Sequence, residues 1–334
     1  MNGPPPPEGH GSLTAAAITT VCFPVPALLL RTHDPAAQRT IRDFADQQAE
    51  TAHSLSRALS IALRSAHDTR ARAAAFTTAF EAAEDWRHRA ALASPHSTGR
   101  YSLRWADRFR TPVTDDNPNL FRIGDHARFR DGAVWEPATR TYQGGTETPA
   151  SRTMYQFEAL AAARFPLSPS TDVVCNRVAL PGGRTAGGTR LLRGSAARRA
   201  AAEMTARISA RGGDVSRIAT SGHLIYISSA PEAARRAIFQ QSMTLLAREH
   251  ATPADALTAW SQAAYLLYQA PRKKRGADAT IRTFLVASGT HLLPRPPVLL
   301  HDIDLRAYTQ THDLFVTELR AAQNIAETTA GRHA

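Results

Sequence analysis

The stretch 36–93 contains neither proline nor glycine, and this feature limits the fold more than any other. Apolar residues recur there every three or four positions, which is the period of an amphipathic helix. Asp34 and Pro35 precede the stretch and are a typical N-cap and first helical residue. The sequence therefore predicts one long helix or two successive helices. The apolar stripe of the second half includes Phe76, Phe80, Ala83 and Trp86.

Four further segments show helical patterns. They are 195–210, 231–249, 253–268 and 278–288. Two short β-rich runs within Val215–Ser229 flank a Ser-Gly pair and predict a β-hairpin. The Gly-rich basic segment 181–190 follows a short strand at 173–180 and predicts a flexible loop. We therefore expect a mainly α protein, a helical-bundle-like single domain with a small β-hairpin.

The texture of the sequence changes along the chain. We expect a flexible proline-rich tail and apolar arm at 1–34, followed by a single helical domain at 35–330. The domain comprises long N-terminal helices at 35–93, an aromatic loop region at 94–170, and a half at 171–330 expected to carry the catalytic residues. The aromatic region predicts long ordered loops packed over helices, or a cover for a nucleotide.

Charge and cysteine content restrict the class of protein. Lysine and arginine number 40 against 29 acidic residues, for a formal net charge of +11, which favours anionic partners such as nucleotides, nucleic acid or acidic surfaces. Cys22 and Cys175 are too few for a disulfide framework or a zinc site, and we expect a reducing cytoplasm. The apolar run 14–30 follows no basic residue and contains Pro24 and Pro26, so it predicts neither a signal peptide nor a membrane span.

The two lysines of the chain are adjacent, at Lys273 and Lys274, between Arg272 and Arg275. In a chain that otherwise uses arginine, two neighbouring ammonium groups point to a chemical role, since a compact ammonium suits phosphate contact or proton transfer. The cluster also precedes the helix predicted to be capped by Asp278, where a helix dipole attracts anions. We predict that it binds phosphate; the alternative is a solvated basic turn.

Two glycine-rich segments supply further candidates. Arg184 lies between two Gly-Gly pairs ahead of a predicted helix, and the backbone N–H groups of such a loop can bind phosphate. Its spacing matches neither the P-loop nor the dinucleotide motif, and a mobile connection is the alternative. His223 is placed at the tip of the predicted hairpin, from which it can reach a substrate as a catalytic residue.

A metal site is predicted at His301-Asp302-Ile303-Asp304. If this run continues the extended segment before it, Asp302 and Asp304 lie on one face with His301 near by. Such carboxylates can hold Mg²⁺, which in turn holds phosphate oxygens. The alternative is that either aspartate begins the helix that follows and forms ordinary ion pairs.

From Val215 to Ser288 the order of elements resembles the Fic family, which transfers AMP or another phosphate-containing moiety from a nucleotide to a hydroxyl group. By their spacing, Asp278 and Arg282 fit a metal ligand and a phosphate contact in the family pattern HPFxDGNGRxxR, and Lys274 falls where its histidine base stands. This sequence lacks that histidine and the Gly-Asn-Gly anion nest. Lys274 can replace the base only if cationic neighbours lower its pKa.

These features support three functional hypotheses. The first is a cytoplasmic nucleotide-using or phosphate-handling transferase, with a nucleotide such as ATP as co-substrate and Mg²⁺ as cofactor. The second is a nucleic-acid-binding protein whose aromatic residues stack on bases, and the third is a catalytically inactive scaffold. A transferase predicts phosphate contacts and carboxylates in one cleft, a nucleic-acid binder predicts a long basic stripe, and a scaffold predicts neither. The oligomeric state is left open.

Overall fold

The computed structural model describes residues 17–94, 102–167, 172–216, 218 and 223–330, with the backbone alone for 102–104 and 324–330. Among these residues, no helix combines the length and the apolar content that a membrane crossing requires. The first 16 residues of the predicted tail and arm at 1–34, and residues 217 and 219–222 of the predicted hairpin, lie outside the described residues.

The N-terminal stretch forms two helices, α1 (Pro35–Arg64) and α2 (Thr69–Ala93). The Asp34 carboxylate accepts hydrogen bonds from the N–H groups of Ala36 and Ala37, because the first turn of a helix has no internal partners for these donors. Asp68 caps α2 in the same way. The alternative of two successive helices is therefore confirmed.

The other α-helices make the described chain mainly α, as predicted. They are α3 (Ser102–Asp107), α4 (Pro149–Arg164), α5 (Gly194–Ser209), α6 (Glu232–Ala247), α7 (Pro253–Gln269), α8 (Ala277–Leu292), α9 (Ile303–Thr309) and α10 (His312–Ala330). Helix α4 lies in the region predicted to be loops, and that part of the prediction is wrong. It begins at a capping box in which Thr148 and Ser151 each accept from the other's backbone N–H, and a Ser at the last position hides this signal from the usual Ser/Thr-x-x-Glu pattern.

In the described part of the chain, six strands form two antiparallel sheets. They are β1 (Leu120–Ile123), β2 (Val134–Glu136), β3 (Thr141–Gln143), β4 (Val173–Ala179), β5 (Thr185–Leu192) and β6 (Ile225–Ser228). The larger sheet has the order β1-β6-β5-β4, and β2 pairs with β3 alone. In the larger sheet Ile227 is paired with Phe121 on one side and Leu191 on the other.

The predicted hairpin at 215–229 is wrong, because both edges of β6 are already paired with β1 and β5. Within the described residues the hairpins are β4–β5 and β2–β3 instead, and the predicted flexible loop at 181–190 is largely strand β5. Gly188 lies in that strand. A glycine is required there because a Cβ would lie 2.6 Å from Gln269 Oε1. Its glycine therefore serves close packing of the sheet on α7 rather than flexibility.

Gln269, at the end of α7, is fully buried and fixes this helix to the sheet. Its Oε1 accepts from the Thr189 N–H at 2.9 Å, and its Nε2 donates to the Ala307 carbonyl. The core of α1, α2, α6, α7 and α8 surrounds the fully buried Trp260, while α4 packs on the larger sheet. The segment that leaves α7 after Gln269 therefore starts from a fixed point between the two cores.

Candidate functional site

A cavity of about 580 Å³ lies where the α7–α8 connection meets α5, the segment after α3, and strand β1. Its walls carry six cationic side chains. They are Arg87, Arg108, Arg207, Arg211, Lys274 and Arg275. Four separate parts of the chain supply them, so the cavity is a product of the tertiary structure.

The connection between α7 and α8 is held against the segment that follows α3. The Lys274 N–H donates to the Thr111 carbonyl at 3.0 Å, and the Val113 N–H donates to the Arg272 carbonyl at 2.9 Å. The buried Arg235 guanidinium donates to the carbonyls of both Pro271 and Val113. These bonds fix the backbone from which Lys274 and Arg275 enter the cavity.

Gly276 closes the connection in a left-handed conformation, with φ at +79°. A Cβ there would lie 2.7 Å from Phe109 Cδ1 and 2.8 Å from Arg87 Cγ, and both of these side chains line the cavity. Only glycine combines this backbone angle with this close approach.

We expect Gly276→Ala to lower the free energy of unfolding by about 1–2 kcal/mol from backbone conformation alone, with a further loss from the contacts with Phe109 and Arg87. Gly212→Ala is the matched control, since Gly212 has φ +72° and no atom near the position of a Cβ. Urea denaturation compares the two variants. Equal losses would contradict the packing argument.

The Lys274 side chain turns inward at this point. Its Nζ donates to the carbonyls of Asn117 at 3.0 Å and Pro118 at 2.7 Å. An ammonium has three hydrogens, so one remains for a ligand. Burial, and after it the nearby arginines, Arg207 first, lower the pKa of Lys274 to about 8.

The arginines around the cavity repel one another. Burial lowers the pKa of Arg108 to about 10, with Arg275 and Arg211 as further causes. Burial and then Arg275 lower the pKa of Arg87 similarly. Within the described residues, none of these four guanidinium groups forms an ion pair with a carboxylate, whereas Arg207 pairs with Glu203. Within the described residues, positive charge at this cavity therefore exceeds negative charge.

Aromatic rings cover one side of the cavity. Trp105 and Phe109 meet edge to face, with ring centroids 5.0 Å apart. The Arg275 guanidinium lies 5.8 Å from the centre of the Trp105 ring, and that of Arg87 lies 4.3 Å from the centre of Phe109. Flat rings next to cations form a surface suited to a ligand that has both a planar group and negative charge.

One carboxyl group, that of Asp304 in the first turn of α9, lines the cavity beside Tyr308. Burial and then the neighbouring Asp278 raise its pKa well above the usual range, while Arg282 opposes them. A carboxyl group in such surroundings exchanges a proton near neutral pH, which is the property required of a general base.

Arg282 and Asp278 form a buried network rather than part of the cavity wall. Arg282 is 1 % exposed; its Nε donates to both Asp278 oxygens at 2.9 and 3.0 Å. Its Nη1 and Nη2 donate to the carbonyls of Leu300 and His301. The Tyr268 hydroxyl also donates to Asp278. Arg282, the predicted phosphate contact, and Asp278, the predicted metal ligand, therefore pair with each other.

The predicted basic cluster divides between two faces. Arg272 Nη2 lies 3.2 Å from Glu81, and Lys273 Nζ lies 3.8 Å from Glu84, both carboxylates belonging to α2. The Arg272 guanidinium also lies 4.8 Å from the centre of the Phe239 ring. Arg272 and Lys273 therefore secure the connection to the helical core, while Lys274 and Arg275 enter the cavity.

Two other predicted residues lie away from the cavity. Arg184 is exposed, and its Nε donates to the Pro181 carbonyl. His223 is near Glu158; burial raises the pKa of that carboxyl, and His126 and then Arg122 oppose the increase.

At 301–304 the extended run is wrong and the helix alternative is confirmed, since Asp302 precedes Ile303, the first residue of helix α9. Asp302 is buried and accepts from Arg306 Nε at 2.7 Å, a pair at i and i+4 that stabilises a helix. His301 is exposed, and Asp304 alone of the predicted magnesium ligands lines the cavity. Among the described residues, no cluster of three or more His, Cys, Asp or Glu side chains is arranged to hold a metal ion. Magnesium binding stays a prediction.

Sequence reasoning missed four of the cationic residues, Arg87, Arg108, Arg207 and Arg211. The pair on and just after α5 stands at i and i+4, and this spacing is the one local signal that places two of them on the same side of a helix. No protein-family model matches the chain and no curated protein sequence is significantly similar to it.

Proposed function

We propose that the cavity binds a small molecule with two or more phosphate groups, such as a nucleotide, and that the protein transfers a phosphate-containing group from it to a hydroxyl group. The observation that carries the proposal is the convergence of Arg108, Arg211, Arg275 and Lys274 in one concave site without carboxylate partners among the described residues. A polyanion is the ligand that such a site favours.

The lowered pKa values of the cationic side chains in the cavity favour binding of an anion. Arg108 and Lys274 both become harder to protonate because burial and neighbouring cations disfavour their charged forms. A bound phosphate offsets the repulsion by neighbouring cations, since each cation then contacts an opposite charge. The energy lost to repulsion in the free protein is thus regained on binding an anion.

Shape and wall chemistry support a nucleotide within this class. A volume of about 580 Å³ lies within the range of small-molecule sites. The rings of Trp105 and Phe109 next to the cations suit a base with phosphates attached. The concave arrangement agrees with the expectation for an enzyme site rather than that for a stripe along nucleic acid.

Asp304 is the group that we assign to proton transfer. The acceptor hydroxyl oxygen bonds to phosphorus as the bond from phosphorus to the leaving oxygen breaks, and the hydroxyl proton passes to Asp304. Its position on the cavity wall and its raised pKa support this role. Lys274 instead donates to two carbonyls, which suits anion binding better than the base role implied by the Fic resemblance. We propose ATP as the co-substrate and Mg²⁺ as the cofactor; the proton transfer to Asp304 does not depend on the metal.

Thermal unfolding with a panel of ATP, GTP, ADP, AMP and pyrophosphate, each with and without Mg²⁺, tests the proposal. A ligand that binds only the folded state raises the melting temperature, by about 2.7 kcal/mol of added stability at a hundred times its Kd. We expect a shift with at least one nucleotide, and release of its leaving group over time. No shift with any of them, together with salt-sensitive binding of single-stranded DNA or RNA, would reject the transferase in favour of nucleic-acid binding.

The affinity for ATP is expected to fall as pH rises from 7.5 to 10. Bound phosphate stabilises the ammonium form of Lys274, whose pKa in the free protein is about 8. The ammonium contribution is therefore present below pH 8 and lost above it, by about tenfold in Kd. Calorimetry on the wild type and on Lys274→Arg measures this difference.

Asp304 also becomes negatively charged as pH rises through its elevated pKa, but it does so equally in both proteins. The steeper pH dependence should therefore belong to the wild type. Parallel curves for the wild type and Lys274→Arg would exclude Lys274 as a phosphate ligand.

A further inference from the structure

A second cavity of about 420 Å³ adjoins the first. Leu120, Phe121, Met204 and Ile208 lie between the two, and Arg275 lines both. The second cavity is bounded by β1, β6 and the segment around Asp125 that follows β1. A ligand there would therefore lie next to one in the first cavity, with a shared cation between them.

Tyr226 supplies the polar group in this second cavity. It lies in the middle of β6 and is 0 % exposed, and its hydroxyl has no hydrogen-bond partner among the described residues. Burial raises the pKa of Tyr226, so the hydroxyl keeps its proton and is a donor at neutral pH. A buried donor without an acceptor is unfavourable, and an acceptor atom of a ligand removes the penalty.

Charged groups surround this hydroxyl on the facing elements. Arg122 from β1 forms an ion pair with Asp125 at 3.1 Å, and its Nε is buried without a hydrogen bond. The others that line the cavity are Arg31, Arg128, Arg275 and Asp214. Four cations thus face two carboxylates. Arg128 has no ion pair or hydrogen bond through its side chain in the described part of the chain, so its charge is available to a ligand.

We propose that the second cavity is a binding site for a small molecule with an anionic oxygen group, a carboxylate or a phosphate, which accepts from the Tyr226 hydroxyl and pairs with Arg128. The site stands on contacts separate from those of the first cavity and does not require the proposed function. If both cavities are occupied, two substrates of a transfer reaction would meet at Arg275.

Calorimetric titration with citrate and with inorganic phosphate tests this site, using protein that carries Arg108→Gln and Arg211→Gln to weaken the first cavity. We expect one of the two probes to bind, which also distinguishes carboxylate from phosphate. Arg128→Gln on this background should weaken that binding about tenfold, the loss of one charge-assisted hydrogen bond. Arg198→Gln, an exposed arginine of α5 that lines neither cavity, is the control and should leave it unchanged.

Tyr226→Phe separates a ligand role from a structural one. If the hydroxyl serves a ligand, its removal weakens binding of the same probe about fivefold while the melting temperature without a ligand stays equal or rises, because no internal bond is lost. Binding that is unaffected by both Tyr226→Phe and Arg128→Gln would overturn the proposal, as would absence of binding by both probes. A lower melting temperature of Tyr226→Phe with unchanged binding would overturn it too. Failure of ATP to bind the wild type would reject the proposed function without affecting this result.

Discussion

Replacement of both Arg108 and Arg211 by glutamine is expected to weaken ATP binding at least about a hundredfold. Each guanidinium lines the first cavity and would give ATP a hydrogen bond to a charged group, which contributes about 1.5–3 kcal/mol. Since about 1.4 kcal/mol corresponds to a factor of ten in Kd, two such losses reach a hundredfold. Calorimetry at constant salt measures the change.

The same double variant should fold at least as well as the wild type. Burial and repulsion by Arg275 and Arg211 disfavour the charged form of Arg108. Neither the Arg108 nor the Arg211 side chain forms an ion pair or hydrogen bond within the described residues. Removing them relieves repulsion and breaks no hydrogen bond or ion pair among the described residues. A melting temperature equal to or above that of the wild type, measured without nucleotide, would show that the affinity loss is local.

Lys273→Met provides the matched control for this cavity. Lys273 adjoins Lys274 in sequence, but its ammonium faces Glu84 of α2, at 3.8 Å. We expect Lys273→Met to keep ATP affinity within about twofold, because a partly exposed ion pair outside the cavity adds little. Comparable losses in Lys273→Met and in the double variant would mean that overall charge, rather than this cavity, attracts the nucleotide.

The contrast between these lysines shows what local sequence can and cannot predict. Composition distinguished Lys273 and Lys274 together, and the helix that follows them was predicted from its pattern, although its N-cap is Gly276 and not the predicted Asp278. Which of the two lysines lines the cavity depends on Thr111, which accepts from the Lys274 N–H, and on Glu84, which lies near the Lys273 ammonium. Both residues are far away in the chain, so no local pattern contains this information.

The strands show the same limit. The edges of β6 are paired with Phe121 and Leu191, partners that are distant in sequence, whereas the sequence pattern favoured a neighbour across Ser221-Gly222. The glycines of β5 were interpreted as flexibility, although Gly188 is required by the closeness of Gln269. Helix capping at Asp34, in contrast, depends on adjacent residues and was predicted correctly.

Arg282 illustrates an ambiguity of spacing. Asp278 and Arg282 stand four residues apart, which fits the Fic pattern and also fits an ion pair within one helix. The geometry of the protein agrees with the second interpretation, since every nitrogen of the guanidinium donates to an internal acceptor. The arginines that do line the cavity belong to segments without a recognisable motif.

Arg282→Met is expected to lower the free energy of unfolding by about 3 kcal/mol or more. The substitution leaves the carbonyls of Leu300 and His301 without their donor and leaves the half-buried Asp278 carboxylate with the Tyr268 hydroxyl alone. Removal of one partner of a buried ion pair typically costs about 3–5 kcal/mol, and the buried partner here is Arg282. Urea denaturation of the wild type and the variant measures the loss. Arg236→Met is the control, because Arg236 forms the same i, i+4 pair with Glu232 on an exposed helix face and should lose less than about 1 kcal/mol.

A second substitution identifies the source of the loss. If the unpaired Asp278 carboxylate is the main cause, Arg282→Met combined with Asp278→Asn should recover part of the stability, since the variant then has no uncompensated charge beside Asp304. If the lost hydrogen bonds to the Leu300 and His301 carbonyls are the main cause instead, the double variant should be as unstable as Arg282→Met alone. If Arg282 instead bound the phosphate of ATP, the opposite result would be expected. Arg282→Met would then leave the free energy of unfolding nearly unchanged and weaken ATP binding. That outcome would restore the role implied by the Fic resemblance and contradict the buried network.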